Sequence, residues 1–250
     1  MHIPLAVGLL SRNGKELPVL LSGETQAQAT RVLDVRKKSQ TFTFTGVTSK
    51  PVPSLNRNFS APIKLDAPQS DPDWVLLYAH DPDLFARWEA GQTYGTKVLL
   101  EMIAALQTGT EPEPDRALVR AIGSTLCDKR LDPAYKAHAI LLPGEMYLAD
   151  QMEVVDVDAI HGVRERTRRA IAEALCDDLK AAYRSMQSNE PYSPDPGQAE
   201  RRMLKNAALA YLSALPDPAA REMVTDQFRK ANNMTDIMGS LGLLNDLKGP

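Results

Sequence analysis

Apolar residues change their spacing once along this chain, from alternate positions to the three-and-four spacing of a helix, and the change falls near residue 66. Before it, alternation predicts short strands over residues 3–10, 17–21, 31–35, 41–45 and 57–65. Asn13-Gly14 suits a tight hairpin turn, because both residue types tolerate positive φ. Phe42 and Phe44 fall on one face of their strand and Thr41, Thr43 and Thr45 on the other, while Pro51 and Pro53 interrupt the run. Short strands punctuated by turn residues predict a small antiparallel β-sandwich over residues 1–66, too small to be an enzyme by itself.

The polar segment from Asp66 to Asp73 contains Pro68 and Pro72 and marks a boundary. Beyond it, residues 67–250 read as helix throughout. Asp81-Pro82, Asp132-Pro133, Asp195-Pro196 and Asp217-Pro218 each place a capping carboxylate before a proline, which is tolerated at the first helical position because its missing N–H has no partner there. Helices are predicted over residues 82–106, 114–127, 133–142, 145–151, 159–186, 198–215, 219–231 and 236–247. Short proline-bearing turns between them suggest antiparallel pairs stacked as a solenoid; without a strict sequence repeat, an irregular helical bundle stands as the other arrangement.

The first strand, with Ile3, Leu5, Val7 and Leu9 alternating, begins so abruptly that a sheet must already await it, which predicts a piece of a larger polypeptide. The 29 basic and 32 acidic residues give a net charge of -3 and no electrostatic reason to expect nucleic acid or an anionic membrane as partner. No apolar run approaches the roughly 20 residues of a transmembrane helix, and no secretory leader is legible, so a cytoplasmic location is expected. Cys127 and Cys176 lie far apart within helical patterns and are expected to be buried free thiols.

Chemistry-bearing residues are sparse. His2, His80, His138 and His161 are too dispersed for a helical metal pair, and each is expected at the surface or satisfied in the core. No nucleophile elbow and no phosphate-cradling glycine loop occurs. Asp156, Asp158, Asp177 and Asp178 could hold a cation or act as acid and base, but their positions favour capping and charging helix starts. The run Arg164-Glu165-Arg166-Thr167-Arg168-Arg169 could bind a carboxylate or an acidic partner, with a solvated face paired to Glu165 and Glu173 as the favoured reading. Trp74, Tyr78, Phe85 and Trp88 are expected to pack the first helices against the β-module, with a ligand box as the minor reading.

Several stretches carry a resemblance: His2-Ile3-Pro4-Leu5, Gln40-Thr41-Phe42-Thr43-Phe44, Lys50-Pro51-Val52-Pro53-Ser54-Leu55, and Asn58-Phe59-Ser60-Ala61-Pro62-Ile63-Lys64-Leu65. The helical part adds Phe85-Ala86-Arg87-Trp88-Glu89-Ala90, the run from Val154 to Ile160, and Ala231-Asn232-Asn233-Met234-Thr235-Asp236. In this order they resemble the carboxyl-terminal part of the bacterial aminopeptidase N family, large gluzincin zinc exopeptidases. The resemblance implies an Ig-like β-sandwich followed by an armadillo- or HEAT-like superhelix, together covering the active site of an upstream catalytic domain that takes peptide substrates. It implies zinc in the full-length family enzyme, held by H-E-x-x-H and a later Glu, but that motif is missing from this chain. No catalytic, cofactor-binding or metal-binding residue is therefore carried over, and the segment is expected to be inactive alone. Its alternative function is that of a free-standing helical scaffold binding peptides or proteins. At the carboxyl end, Thr235 is expected to cap a last helix whose Ile237, Leu241 and Leu244 form an uncovered apolar face, before the chain ends at Gly249-Pro250.

Overall fold

The computed structural model describes residues 2–246. By compactness the chain divides into two units, one reaching to Tyr94 and one starting at Gly95. Secondary-structure class changes earlier, since the first helix begins at Asp71.

In the first unit, β1 (Ile3–Leu10) pairs antiparallel with β2 (Glu16–Leu17), β4 (Arg31–Val35) and β6 (Val52–Leu55). A second sheet pairs β3 (Leu20–Leu21) with β5 (Phe44–Thr45), completing the expected small β-sandwich. The alternation read in β1 holds only at its start. From Ala6 to Leu10 every residue is buried, because three strands and Arg57 surround it, so this half is covered on both faces. The Asn13-Gly14 turn is part of a longer loop: only Gly14 takes positive φ (76°), and Ser11 N donates to Lys15 O at 2.8 Å.

Four strand assignments are corrected. The strand expected over residues 17–21 is two short pieces in different sheets, β2 and β3, and that expected over residues 41–45 is reduced to β5. Residues 52–55 form β6 despite Pro51 and Pro53, a position tolerated because β6 pairs only with β1 and needs no full ladder. Residues 57–65 are not a strand. Asn56, Asn58 and Phe59 have φ of 54°, 53° and 50°, and this left-handed run folds residues 57–59 into a single 3-10 turn. Asn tolerates that region through its short polar side chain; here Asn56 Oδ1 accepts from Ala61 N at 3.0 Å and its Nδ2 donates to Ala61 O at 3.1 Å.

Helix α1 (Asp71–His80) follows, with Ser70 N donating to the Asp73 carboxylate at 3.1 Å. Helix α2 (Leu84–Gln107) starts in the first unit and ends in the second. Asp81 does not cap α2 as expected: it is fully buried at the end of α1. Asp83 takes that role, accepting from Ala86 N at 2.8 Å. A proline at residue 82 thus lies one residue before the cap rather than one after it.

The second unit contains α3 (Arg116–Cys127), α4 (Pro133–Ala139), α5 (Glu145–Ala149), α6 (Val157–Ala174), α7 (Cys176–Ser185), α8 (Pro196–Leu212), α9 (Pro218–Lys230) and α10 (Met234–Asp246). Asp115, Asp132, Asp156, Asp195 and Asp217 each accept a hydrogen bond from the first turn of their helices. Sequential neighbours pack together, α7 on α8 and α9 on α10, while α8 also packs on α4 and α6. Its buried Leu204, Ala208, Leu209 and Leu212 make it the axis of this core.

Three further corrections concern these helices. The helix expected over residues 159–186 is two, broken at Leu175 (φ −114°, ψ 22°), whose side chain packs where a Cβ on Gly123 would lie. No glycine or proline marks that break; tertiary packing makes it. Asn233, not Thr235, caps α10 by accepting from Asp236 N at 2.9 Å, and the predicted helix end at Leu247 lies outside the described residues, as do Gly249 and Pro250. The exposed apolar positions of α10 are Met234, Met238 and Leu241, whereas Ile237 and Leu244 are half-buried. Both cysteines are free as expected, but Cys127 is exposed and Cys176 half-buried rather than buried, since both sit at helix ends.

The caps permit one direct stability test. Asp132 is exposed and its carboxylate accepts from Tyr135 N at 2.7 Å, so Asp132→Ala should remove about 1 kcal/mol from urea unfolding. An unchanged midpoint would show that Pro133 alone sets that helix start.

Candidate functional site

Two buried polar clusters stand out, one in each unit. In the first, Arg57 leaves the left-handed turn and crosses β1 over Gly8, where a Cβ would overlap its guanidinium. Only glycine lets the guanidinium lie there. Arg57 Nε donates to Ser54 Oγ at 2.8 Å, Nη1 to Glu16 at 2.6 Å and Thr30 Oγ1 at 2.9 Å, and Nη2 to Asp81 at 3.3 Å. Burial pushes the Asp81 carboxyl above its ordinary range, against the pull of the Ser54 hydroxyl and of Arg57. The cluster joins β1, β2, β6 and the end of α1. Next to it, the Asp83 carboxylate accepts from Asn58 N at 3.0 Å, holding the turn that presents Phe59. Phe59 is half-exposed and lies 5.0 Å from Phe85, which lies 6.1 Å from Trp88. Tyr78 is buried and Trp74 half-buried, so the expected aromatic packing is present, with Tyr78 in the space that a Cβ on Gly91 would need.

The second cluster ties α8, α9 and α10. Lys205 Nζ meets Asp236 Oδ2 at 2.6 Å with both side chains nearly enclosed. Asp236 Oδ1 accepts from Asn206 at 3.0 Å, and Gln227 Nε2 donates to Asn206 Oδ1 at 2.6 Å and to Ser240 Oγ at 3.0 Å. The Asn232-Asn233 pair thus belongs to a packing device: Asn233 caps α10, and its side-chain amide donates to Asp236 at 2.9 Å.

The residues singled out by sequence do not converge. His161 Nδ1 lies 2.9 Å from Glu145 at the surface, His2 pairs with Asp34, His138 is exposed, and His80 packs beside Gly14. Asp156 caps α6 and also accepts from Gln107 at 3.2 Å, while Asp158 and the Asp177-Asp178 pair occupy first helical turns. Backbone and Gln107 hydrogen bonds hold the Asp156 carboxyl below its usual range. The arginine run is less solvated than expected. Arg169 pairs with Glu173 at 2.9 Å, but Arg168 rather than Arg169 takes Glu165, at 2.6 Å. Arg164 Nε donates to Pro143 O at 2.9 Å, and Arg166 pairs with Glu111 and donates to Pro112 O at 3.2 Å. These side chains lie along the helix towards neighbouring loops, which spacing on a single helix does not reveal.

Zinc, implied by the resemblance, does not fit the residues present. Among the described residues no group of three His, Cys, Asp or Glu side chains is placed to hold a metal ion, and no step of a hydrolysis is derived from them. No helix among them is long and apolar enough to cross a membrane.

A small antiparallel sandwich leading into paired helices, with polar clusters that fasten elements together, defines a β-plus-helical-repeat module. Residues 1–68 match the family model described as a domain of unknown function (DUF3458) with an Ig-like fold, and residues 71–250 match that described as a domain of unknown function (DUF3458_C) of ARM repeats. The chain belongs to this DUF3458 family. It is 34% identical to the aminopeptidase N of Escherichia coli (strain K12) over 96% of its length, which is 27% of that protein. Against the aminopeptidase N of Caulobacter vibrioides the identity is 35% over 94% of this chain and 26% of that one. The crystal structure of Legionella pneumophila aminopeptidase A in complex with aspartic acid superposes with a TM-score of 0.80 at 24% identity, over 98% of this chain and 28% of that one, and shows the same fold. The resemblance read from the residues is thereby borne out, as is an Ig-like module followed by armadillo-type repeats. The chain spans about a quarter of the length of the curated relatives it matches.

Proposed function

We propose that this chain is a non-catalytic part of a zinc aminopeptidase of the aminopeptidase N type, working beside a catalytic domain of the same polypeptide that removes amino-terminal residues from peptides. The observation that carries this reading is the match of both modules, in order, over 94% or more of this chain but only 26–27% of two curated aminopeptidases. In this reading residues 1–66 are a β-linker and residues 67–250 an array of helical repeats that covers and encloses the active site. The polypeptide works in the cytoplasm, zinc is held outside this segment, and neither nucleic acid nor membrane is a partner.

The isolated chain is accordingly expected to leave aminoacyl chromogenic substrates intact and, after dialysis, to retain only substoichiometric zinc, because it lacks the paired histidines that would hold the zinc ion which lowers the pKa of a bound water. The check is an activity and metal assay on purified protein. Hydrolysis that follows the protein through purification and is abolished by a chelator would overturn the proposal.

A further inference from the structure

We propose that the corner where α5 turns into α6 is a docking surface for a peptide segment whose apolar side chains are flanked by Lys or Arg. This inference does not rest on the aminopeptidase reading. The chain leaves α5 at Ala149 and enters α6 at Val157; the two helices pack together, with a Glu145 carboxylate oxygen 2.9 Å from His161 Nδ1. On this corner Met146 is 78% exposed, Val154 77% and Val157 68%, and Tyr147 and Val155 are half-exposed. Exposed apolar side chains scattered singly are ordinary, but five large ones within twelve consecutive positions leave an apolar patch in water, the mark of an interaction surface. Leu148, Ala159 and Ile160 fill the core beneath, so the outward five are not needed to hold the helices together. Methionine and tyrosine are also among the residue types enriched where proteins meet.

Charge decides what fits. From Glu145 to His161 the sequence has Glu145, Asp150, Glu153, Asp156 and Asp158 and neither Lys nor Arg. Asp150, Glu153 and Asp158 are exposed beside the apolar positions. Asp156 accepts from Ala159 N and from Gln107, and neither neutralises it. The next arginines along α6 are engaged elsewhere, Arg164 with Pro143 O and Arg166 with Glu111. A second copy meeting this patch about a twofold axis would set the same carboxylates against one another, and an anionic membrane would be repelled as well. An apolar partner that carries cations satisfies both halves of the surface, and the acidic residues speed its encounter.

The test adds three synthetic peptides of equal length to the full chain, one of leucine and lysine at helical spacing, one of leucine and glutamate, and one of serine and lysine, and follows the backbone amide signals by NMR. The leucine–lysine peptide should bind saturably, shift the signals of residues 145–158, and bind about tenfold or more tightly than either of the others. Met146→Ser combined with Val154→Ser should weaken it roughly tenfold at unchanged helix content, because both side chains are exposed and neither supports the core. Asp150→Lys combined with Glu153→Lys should weaken the leucine–lysine peptide and strengthen the leucine–glutamate one. Equal binding of the serine–lysine peptide would reduce the surface to unspecific charge and overturn the proposal. Unchanged affinity in either double variant would overturn it too, as would self-association that Met146→Ser with Val154→Ser abolishes, or binding of the chain to phosphatidylserine vesicles.

Discussion

Arg57→Met should destabilise the first unit by about 3–5 kcal/mol, a large part of the 5–15 kcal/mol that holds a typical domain together. The guanidinium is 2% exposed and the Asp81 side chain 0%, so removing the cation strands a carboxylate that water does not reach. Ser54, Thr30 and Glu16 lose their shared donor at the same time. Replacing both charges, in Arg57→Met with Asp81→Leu, should cost less than Arg57→Met alone, because the stranded charge goes with its partner. The pH dependence has a definite sign. The folded-state pKa of Asp81 already lies above its ordinary value, so its contribution favours folding at low pH and is lost as pH rises through that pKa. Losing Arg57 raises the folded-state pKa further, and the deficit of the single variant should shrink on acidification. Urea unfolding across a pH series checks both points; a deficit under about 0.5 kcal/mol at neutral pH would show that the cluster is not an anchor. Gly8→Ala should weaken the same cluster, since the added methyl group occupies the path of the guanidinium.

Asp236→Ala should release α10 from the second unit. It leaves the Lys205 ammonium, 10% exposed, without its counter-charge, and removes the acceptor for Asn206 and Asn233. The expected loss is again about 3–5 kcal/mol, confined at first to local opening. Amide exchange should quicken through α10 and the end of α9 while α8 stays protected. Unaltered exchange in α10 would mean that its half-buried apolar residues hold it without the polar network.

The helical half was legible in the sequence because its signals are local. Aspartate-proline pairs at 132, 195 and 217 announce caps that the side chains make. What stayed hidden is tertiary. Asp81-Pro82 has the same local pattern, but burial against Arg57 outweighs capping, and nothing near residue 81 announces a partner 24 positions earlier. Leu175 breaks a helix through its packing over Gly123. The Arg57 cluster does have a signal in the sequence: two asparagines flanking an arginine favour left-handed backbone, not a strand, and a glycine inside an otherwise apolar strand announces a close approach. For the arginine run, spacing showed which residues share a face of α6 but not that loops and α8 cover part of it.

The proposed enclosing role is best tested in a chimaera in which the matching quarter of Escherichia coli aminopeptidase N is exchanged for this chain, compared with the parent and with a deletion of that quarter. Peptide hydrolysis is followed over substrates of increasing length, with and without chelator. The expected result is chelator-sensitive activity in the chimaera, with a length preference that differs from the parent, and loss of that activity in the deletion. A folded deletion variant that keeps the parent's rate and length preference would contradict any part for this region in enclosing the active site.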